Sequence, residues 1–129
     1  LQPIDDRFGI PSQPFAEMIE HFSAQLLETF YKDMFDEQSQ AERFLRTRPK
    51  RSLESIRSEL VALHQLYNAD GPGENFFTNR IVGTRDRIFQ ARSQLRSWND
   101  SPCARIKAGH FPFYSWPSWD AMIAAGVHG

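Results

Sequence analysis

Two short apolar segments late in the chain limit its fold more than any other feature. Residues 76–83 (Phe76-Phe77-Thr78-Asn79-Arg80-Ile81-Val82-Gly83) and 102–107 (Pro102-Cys103-Ala104-Arg105-Ile106-Lys107) both read as short strands, the first with buried character. Between them lie a polar loop, Thr84 to Arg87, and a stretch from Phe89 to Trp98 with helical spacing and Leu95 and Trp98 on its inner side. Two strands joined through a helix lie parallel in one sheet. A parallel pair by itself is not a stable sheet, because parallel strands need helices on both faces and further strands beside them. The expectation is therefore an α/β fold of which this sequence holds one end, with the N-terminal part of the sheet absent. A first residue that is Leu rather than Met agrees with that expectation.

The rest of the chain reads as helical. Residues 1–13 form a loop broken by Pro3, Gly9, Pro11 and Ser12. Ser12 or Gln13 is placed to cap a helix with Pro14 in its first turn. Phe15, Met18, Ile19, Phe22, Leu26, Leu27, Phe30 and Met34 then recur on one helical face, in one helix or in two with a bend. A further piece covers 37–46 and stops before Pro49. Ser52 caps the next, with Leu53, Ile56, Leu60, Leu63 and Tyr67 as its stripe, ending near Asn68 before the turn Asp70-Gly71-Pro72-Gly73. Pro117-Ser118 opens a last helix running to about Ala125.

Composition excludes several classes. No apolar run approaches the roughly 18 residues of a membrane span, and the start carries no signal-peptide pattern. The single cysteine, Cys103, excludes an internal disulfide framework and a Cys-rich zinc site, and fits a cytoplasmic setting. Its place within the second strand makes it a core residue rather than a nucleophile. His21, His64 and His128 lack partners at metal-ligand spacing and read as structural or surface residues, so no metal or cofactor is expected.

Charge is sorted along the chain. Residues 1–42 hold nine acids against Arg7 and Lys32. Arg43, Arg46, Arg48, Lys50, Arg51 and Arg57 then face only Glu54 and Glu59 over residues 43–59, and residues 80–107 hold seven bases against Asp86 and Asp100. Such sorting suits a basic face that meets an acidic partner, or a solvated surface that partly neutralises itself. The basic stretches lack interleaved stacking aromatics and there is no Gly-rich phosphate loop, which argues against nucleic acid as the partner.

Asp86 follows the first strand and His110 follows the second. The carboxyl ends of the strands are where open α/β sheets bind ligands. An acid after one strand and a His after the next match the second half of an α/β-hydrolase triad, whose chain order is Ser, acid, His. The His takes a proton from a serine and returns it to the leaving alcohol, while the carboxylate holds the ring's tautomer and stabilises the imidazolium. Singly, Asp86 also reads as a cap or turn residue and His110 as a partly buried structural His. No Gly-x-Ser-x-Gly is present, and Ser55, Ser58, Ser93 and Ser97 all fall inside helices, so the serine must come from outside this sequence.

Ile81-Val82-Gly83-Thr84-Arg85-Asp86-Arg87-Ile88-Phe89, then Gln94-Leu95 and Trp98, Gly109-His110-Phe111-Pro112-Phe113 and Ser118-Trp119-Asp120 resemble the C-terminal part of BioG-type pimeloyl-[acyl-carrier-protein] methyl ester esterases. Pro3-Ile4-Asp5-Asp6, with Gly9-Ile10-Pro11 and Phe15, is similar to the family segment that leaves the central sheet for the cap helices. The resemblance runs over the whole chain. It implies a linker at 1–13, a helical cap at 14–70 and the end of an α/β-hydrolase core at 71–129. It also implies Asp86 as triad acid, His110 as triad base, and hydrolysis of the methyl ester of pimeloyl-ACP in biotin synthesis. The family's N-terminal half, with its nucleophile and oxyanion-hole amides, has no counterpart in this sequence, so these residues alone are expected to be inactive or nearly so. It would be a partner if it is a separate chain.

On that reading the six basic residues of 43–57 lie on the cap, where Arg forks suit the carboxylates and phosphopantetheine phosphate of an acidic carrier protein. Phe111, Phe113, Tyr114, Trp116 and Trp119 read as core beneath the His loop, with an acyl-pocket lining as the alternative. Two other functions compete. A thioesterase acting on carrier-bound acyl chains would use the same Asp86/His110 pair. A non-catalytic helical module binding an acidic protein would leave the two residues apart in space.

Overall fold

In the computed structural model, which describes residues 3–70, 76–99 and 101–125, Ser23 divides the first apolar stripe into two helices. α1 spans Ser12–Glu20 and α2 spans Ala24–Asp33. Between them Ser23 is extended, and its Oγ accepts the Leu26 N–H at 3.1 Å. A side chain that competes with the backbone for hydrogen bonds thus ends one helix and caps the next. The expected side-chain cap at Ser12 or Gln13 is absent. Pro11 holds the cap position, and the Ser12 N–H is instead accepted by Asp6 Oδ1 at 3.0 Å.

α3 spans Gln38–Arg46 and ends before Pro49; α4 spans Leu53–Asp70, with Ser52 Oγ accepting the Ser55 N–H at 3.1 Å as its cap. α1 packs on α4, and α2 on α3. Two apolar clusters result. In one, Phe15 and Ile19 of α1 bury Ile4 against Leu60, Val61 and Tyr67 of α4. Tyr67 Oη also donates to Asp5 Oδ2 at 3.4 Å, and burial, with the charge of Asp5 second, pushes the Tyr67 phenol up from its usual range. In the other, Tyr31, Met34, Phe35 and Ala41 join α2 and α3 and receive Ile88, Phe111 and Tyr114 from the second half of the chain.

β1 (Ile81–Gly83) and β2 (Ala104–Ile106) pair in parallel, Ile81 opposite Ala104 and Gly83 opposite Ile106, with α5 (Ala91–Ser97) between them in sequence. The chain is a mixed α/β protein with a small parallel sheet. Both strands are shorter than expected. A strand exists only where a neighbour completes its hydrogen bonds, and among the described residues three on each side pair in ladder register. Phe76 and Phe77 therefore lie outside the strand and are 80% and 63% exposed. Cys103 precedes β2 and is half-buried rather than in a strand core. The inner residue of α5 is Gln94, while Leu95 and Trp98 are half-buried. A single 3₁₀ turn (Pro112–Ser115) and α6 (Trp119–Ala124, capped by Ser118 Oγ) complete the described chain. Leu1, residues 71–73 of the expected turn, Asp100 and His128 lie outside the described residues.

Candidate functional site

The backbone leaving the two strands carries the candidate acid and base side by side. Beyond the sheet, the Thr84 N–H donates to Ile106 O at 2.8 Å and the Arg85 N–H to Ala108 O at 3.1 Å. The loops thus stay zipped for two residues after the ladder ends. Gly83 and Gly109 make this approach possible. A Cβ on Gly83 would sit 2.5 Å from Gly109 O, and one on Gly109 would sit 2.7 Å from Met34 O and 2.9 Å from Asp36 N. The His loop is also tied to the end of α2, where the Phe111 N–H donates to Met34 O at 2.9 Å. Arg87 reaches the same place, donating to Phe35 O at 2.9 Å.

Asp86 and His110 meet there. His110 Nδ1 lies 3.0 Å from Asp86 Oδ2. A carboxylate only accepts, so Nδ1 carries the hydrogen. The other carboxylate oxygen, Oδ1, accepts the N–H groups of Ile88 and Phe89, each at 2.8 Å. Asp86 therefore caps a turn with one oxygen and holds the imidazole with the other. The cap-or-turn reading of the residue holds for Oδ1, and Oδ2 is the atom that meets the imidazole. Its side chain is 5% exposed against 29% for that of His110. His110 Nε2 makes no hydrogen bond among the described residues. The non-catalytic reading required these residues to be apart, and the geometry is the opposite.

Gln94 completes the carboxylate's shell and was not picked out from sequence as a site residue. Its Nε2 donates to Asp86 Oδ2 at 2.9 Å and to Phe89 O at 2.7 Å, so both amide hydrogens are used. It is the buried polar residue of the described chain, 7% exposed. The available signal was a Gln on the inward stripe of a short helix, a place that otherwise calls for an apolar residue.

The imidazole borders an apolar cavity of about 180 Å³. The cavity is walled by Phe15, Met18 and Phe22 near α1, Leu26, Leu27 and Phe30 of α2, and Ile56, Leu60 and Leu63 of α4, with Ile88 and Phe89 on the His110 side. The Phe89 ring lies 5.2 Å from that of His110. The aromatics after His110 contribute none of these walls. Phe111 and Tyr114 pack on Phe35 at 5.4 and 5.7 Å, and Phe113 pairs with Trp119 at 5.0 Å on a separate surface groove. Core packing is thus the outcome for Phe111 and Tyr114. The apolar chamber comes instead from a helical stripe that periodicity alone marks only as buried.

The six basic residues of 43–57 differ in what they touch. Arg43 stacks on Tyr114, 4.1 Å from the ring centre. Arg51 pairs with Glu59 and donates to Ser55 Oγ at 3.0 Å; Arg57 donates to Ile19 O at 3.2 Å, joining α4 to α1. Arg46, Arg48 and Lys50 are exposed and make no hydrogen bond or ion pair among the described residues. Lys32, by its hydrogen bond and charge, and then Arg48 hold the exposed Glu28 carboxyl below its usual range. His64 packs against Phe15 at 5.7 Å, and His21 ends α1 on the surface. No three His, Cys, Asp or Glu side chains gather to hold a metal among the described residues, and no described helix is long and apolar enough to cross a membrane.

A carboxylate–imidazole pair at the carboxyl ends of adjacent parallel strands, opening on an apolar chamber under helices, defines a mixed α/β protein with its site where such sheets take ligands. Comparison with known proteins narrows the class. The chain belongs to the BioG family: the model of pimeloyl-ACP methyl esterase BioG matches residues 1–122. It is similar to a malonyl-[acyl-carrier protein] O-methyltransferase of Bacteroides fragilis (strain 638R), at 31% identity over 96 residues, 74% of this chain and 20% of that protein. Its fold is similar to the crystal structure of SeMet-BioG from Haemophilus influenzae, with a TM-score of 0.82 and 28% identity, covering 93% of this chain and 56% of the other. The chain thus spans a fifth of the curated relative's length and little more than half of the structural neighbour's.

Proposed function

We propose that this chain supplies the acid and base of a serine-type carboxylesterase that hydrolyses the methyl ester of pimeloyl-ACP in biotin synthesis, its serine coming from residues outside these 129. The observation that carries the reading is the Asp86–His110 hydrogen bond of 3.0 Å at the border of an apolar cavity. Both family and relative bear names that place an O-methyl ester on a carrier-bound acyl chain. The match to the methyltransferase covers 20% of that protein, which leaves four-fifths of it to house the transfer chemistry its name describes.

The chemistry follows from the atoms. His110 Nε2 takes the serine proton as the hydroxyl oxygen attacks the ester carbon, and returns it to the departing methoxide, releasing methanol. Water then attacks the acyl-serine by the same route and frees the carboxylic acid. Asp86 keeps Nε2 as the basic nitrogen by holding Nδ1–H and stabilises the imidazolium that forms. Gln94 is a positioning residue, acting on His110 only through Asp86. Residues 14–70 serve as the cap, since α1, α2 and α4 wall the chamber; 1–13 link it to the core, and 71–129 end the α/β-hydrolase core. The acyl methylenes lie in the chamber, and Arg46, Arg48 and Lys50 meet the acidic carrier.

The test is ester hydrolysis by the full-length protein, with methanol and free thiol both followed. Methanol release, together with serine labelling by a fluorophosphonate that His110→Ala abolishes, is the expected result. Thiol release without methanol would replace the reading with a thioesterase. Neither product from any carrier-bound ester would end it.

A further inference from the structure

Four arginines from three stretches of chain line one cavity outside the candidate catalytic pair. Arg7, Arg87, Arg92 and Arg96 line a depression of about 180 Å³. One carboxylate shares it, that of Asp6, and its Oδ1 is already taken by the Ser12 N–H. Two of the arginines have side-chain partners. Arg92 Nε donates to Gln90 Oε1 at 2.8 Å, and Arg87 donates to Phe35 O and lies 3.7 Å from Asp33. The Arg96 guanidinium makes no hydrogen bond or ion pair among the described residues, and the Arg7 guanidinium rests over the Phe8 ring at 5.3 Å. Like charges gathered around one cavity repel, and an anion placed among them removes that cost. Guanidinium forks match phosphate oxygens in pairs, which makes phosphate the anion they fit best.

The second observation is where this cavity lies. Ile10 and Ile88 line both it and the apolar chamber that His110 borders. An anionic head joined to an apolar chain is the kind of ligand that would occupy the pair of cavities. We infer that the arginine cavity binds the phosphate of an acyl-bearing phosphopantetheine arm, while the acyl chain runs past Ile10 and Ile88 toward His110. The direction of the acyl chain rests on the esterase reading above. The phosphate site does not, because it stands on the arginines that line the cavity. It also gives a role to the excess of bases in residues 80–107 that the Asp86–His110 chemistry leaves unused.

The experiment is calorimetric binding to the full-length protein, made without turnover. Two probes are compared: S-acyl 4′-phosphopantetheine and the same S-acyl pantetheine lacking the phosphate. The phosphorylated probe is expected to bind at least 10-fold more tightly, and Arg92→Glu/Arg96→Glu to erase that difference. The neutral pair Arg92→Gln/Arg96→Gln, at exposed positions, guards against misfolding and should cut the difference while leaving the thermal midpoint in place. His110→Ala should keep it, so the result stands apart from whether any ester is hydrolysed. Equal affinity of the two probes for the unaltered protein would overturn the inference. So would a phosphate preference that survives both arginine pairs. If the arginine variants weaken only the carrier-bound ester and neither free probe, the arginines meet carboxylates of the carrier instead, and the phosphate site is likewise overturned.

Discussion

At the ends of β1 and β2 the side chains are held from several directions, whereas at the end of α3 and in the loop before α4 three basic side chains are nearly free. Asp86 accepts from Ile88, Phe89, Gln94 and His110, and the His loop is pinned to Met34. Arg46, Arg48 and Lys50 touch no polar partner among the described residues. The contrast matches the two tasks proposed for them. Proton transfer needs a fixed heavy-atom distance of about 2.6–3.2 Å. Capture of an oppositely charged partner works over a Debye length of about 8 Å and tolerates mobile side chains. Changes at the pair should therefore lower kcat on every ester, while changes at these three bases should raise KM for the carrier-bound ester alone.

The largest effect tests the first half of that contrast. His110→Ala and Asp86→Asn in the full-length protein should each lower kcat by about 10⁴-fold, one by removing the base and the other by releasing the wrong tautomer. Both losses should be the same on a small methyl ester and on the carrier-bound ester, with circular dichroism unchanged. A loss confined to the carrier-bound ester would place the pair in recognition rather than chemistry, and the contrast would collapse.

Gly109→Ala tests how tightly the site is built. The new methyl would press on Met34 O and Asp36 N, two backbone atoms that cannot swing aside as a side chain would. Overpacking of this kind costs about 1–3 kcal/mol. A lowered thermal midpoint and a fall in kcat should appear together, because the loop that moves is the one that carries His110. A stable, fully active Gly109→Ala would mean that the loop has slack, and that the site is less constrained than its contacts indicate.

That glycine marks where legibility in the sequence ends. Alternating and helical periodicities are local, so the helices, the parallel pair and the placement of Asp86 and His110 after adjacent strands could be read from neighbouring residues. The 3.0 Å meeting of those two follows from parallel pairing, which makes it the most readable long-range feature of the chain. Gly83 and Gly109 are different: their need to be small comes from backbone brought in from elsewhere, which no local pattern records. The same holds for Phe15, Met18, Phe22 and Leu26, since burial in a core and lining of a chamber produce one and the same stripe. Arg43, Arg51 and Arg57 look alike in sequence, yet one stacks on Tyr114, one pairs with Glu59 and one ties α4 to α1.

Gln94→Met sharpens the contrast within the pair's own shell. It removes one charge-assisted hydrogen bond to Asp86 while keeping the side chain's bulk, and should lower kcat by about 10-fold with KM unchanged. A residue that only filled space would lower the amount of folded protein and leave kcat per folded molecule alone. If kcat per folded molecule is unchanged, Gln94 supports the fold and not the orientation of Asp86.

The smallest effect is expected at the exposed bases between α3 and α4. Arg46→Glu/Lys50→Glu changes two exposed residues that hold nothing else in place, whereas reversing Arg51 would leave Glu59 facing a like charge. KM for the carrier-bound ester should rise by about 3- to 10-fold, in line with the 0.2–1 kcal/mol typical of each exposed ion pair, and kcat should hold. The rise should shrink as salt is added, because the attraction being removed is itself screened. A small methyl ester should not register the change at all. If both substrates lost equally, charge at the junction of α3 and α4 would be acting through the chamber walls that α4 shares, and the division between a rigid chemical site and a loosely held docking surface would be lost.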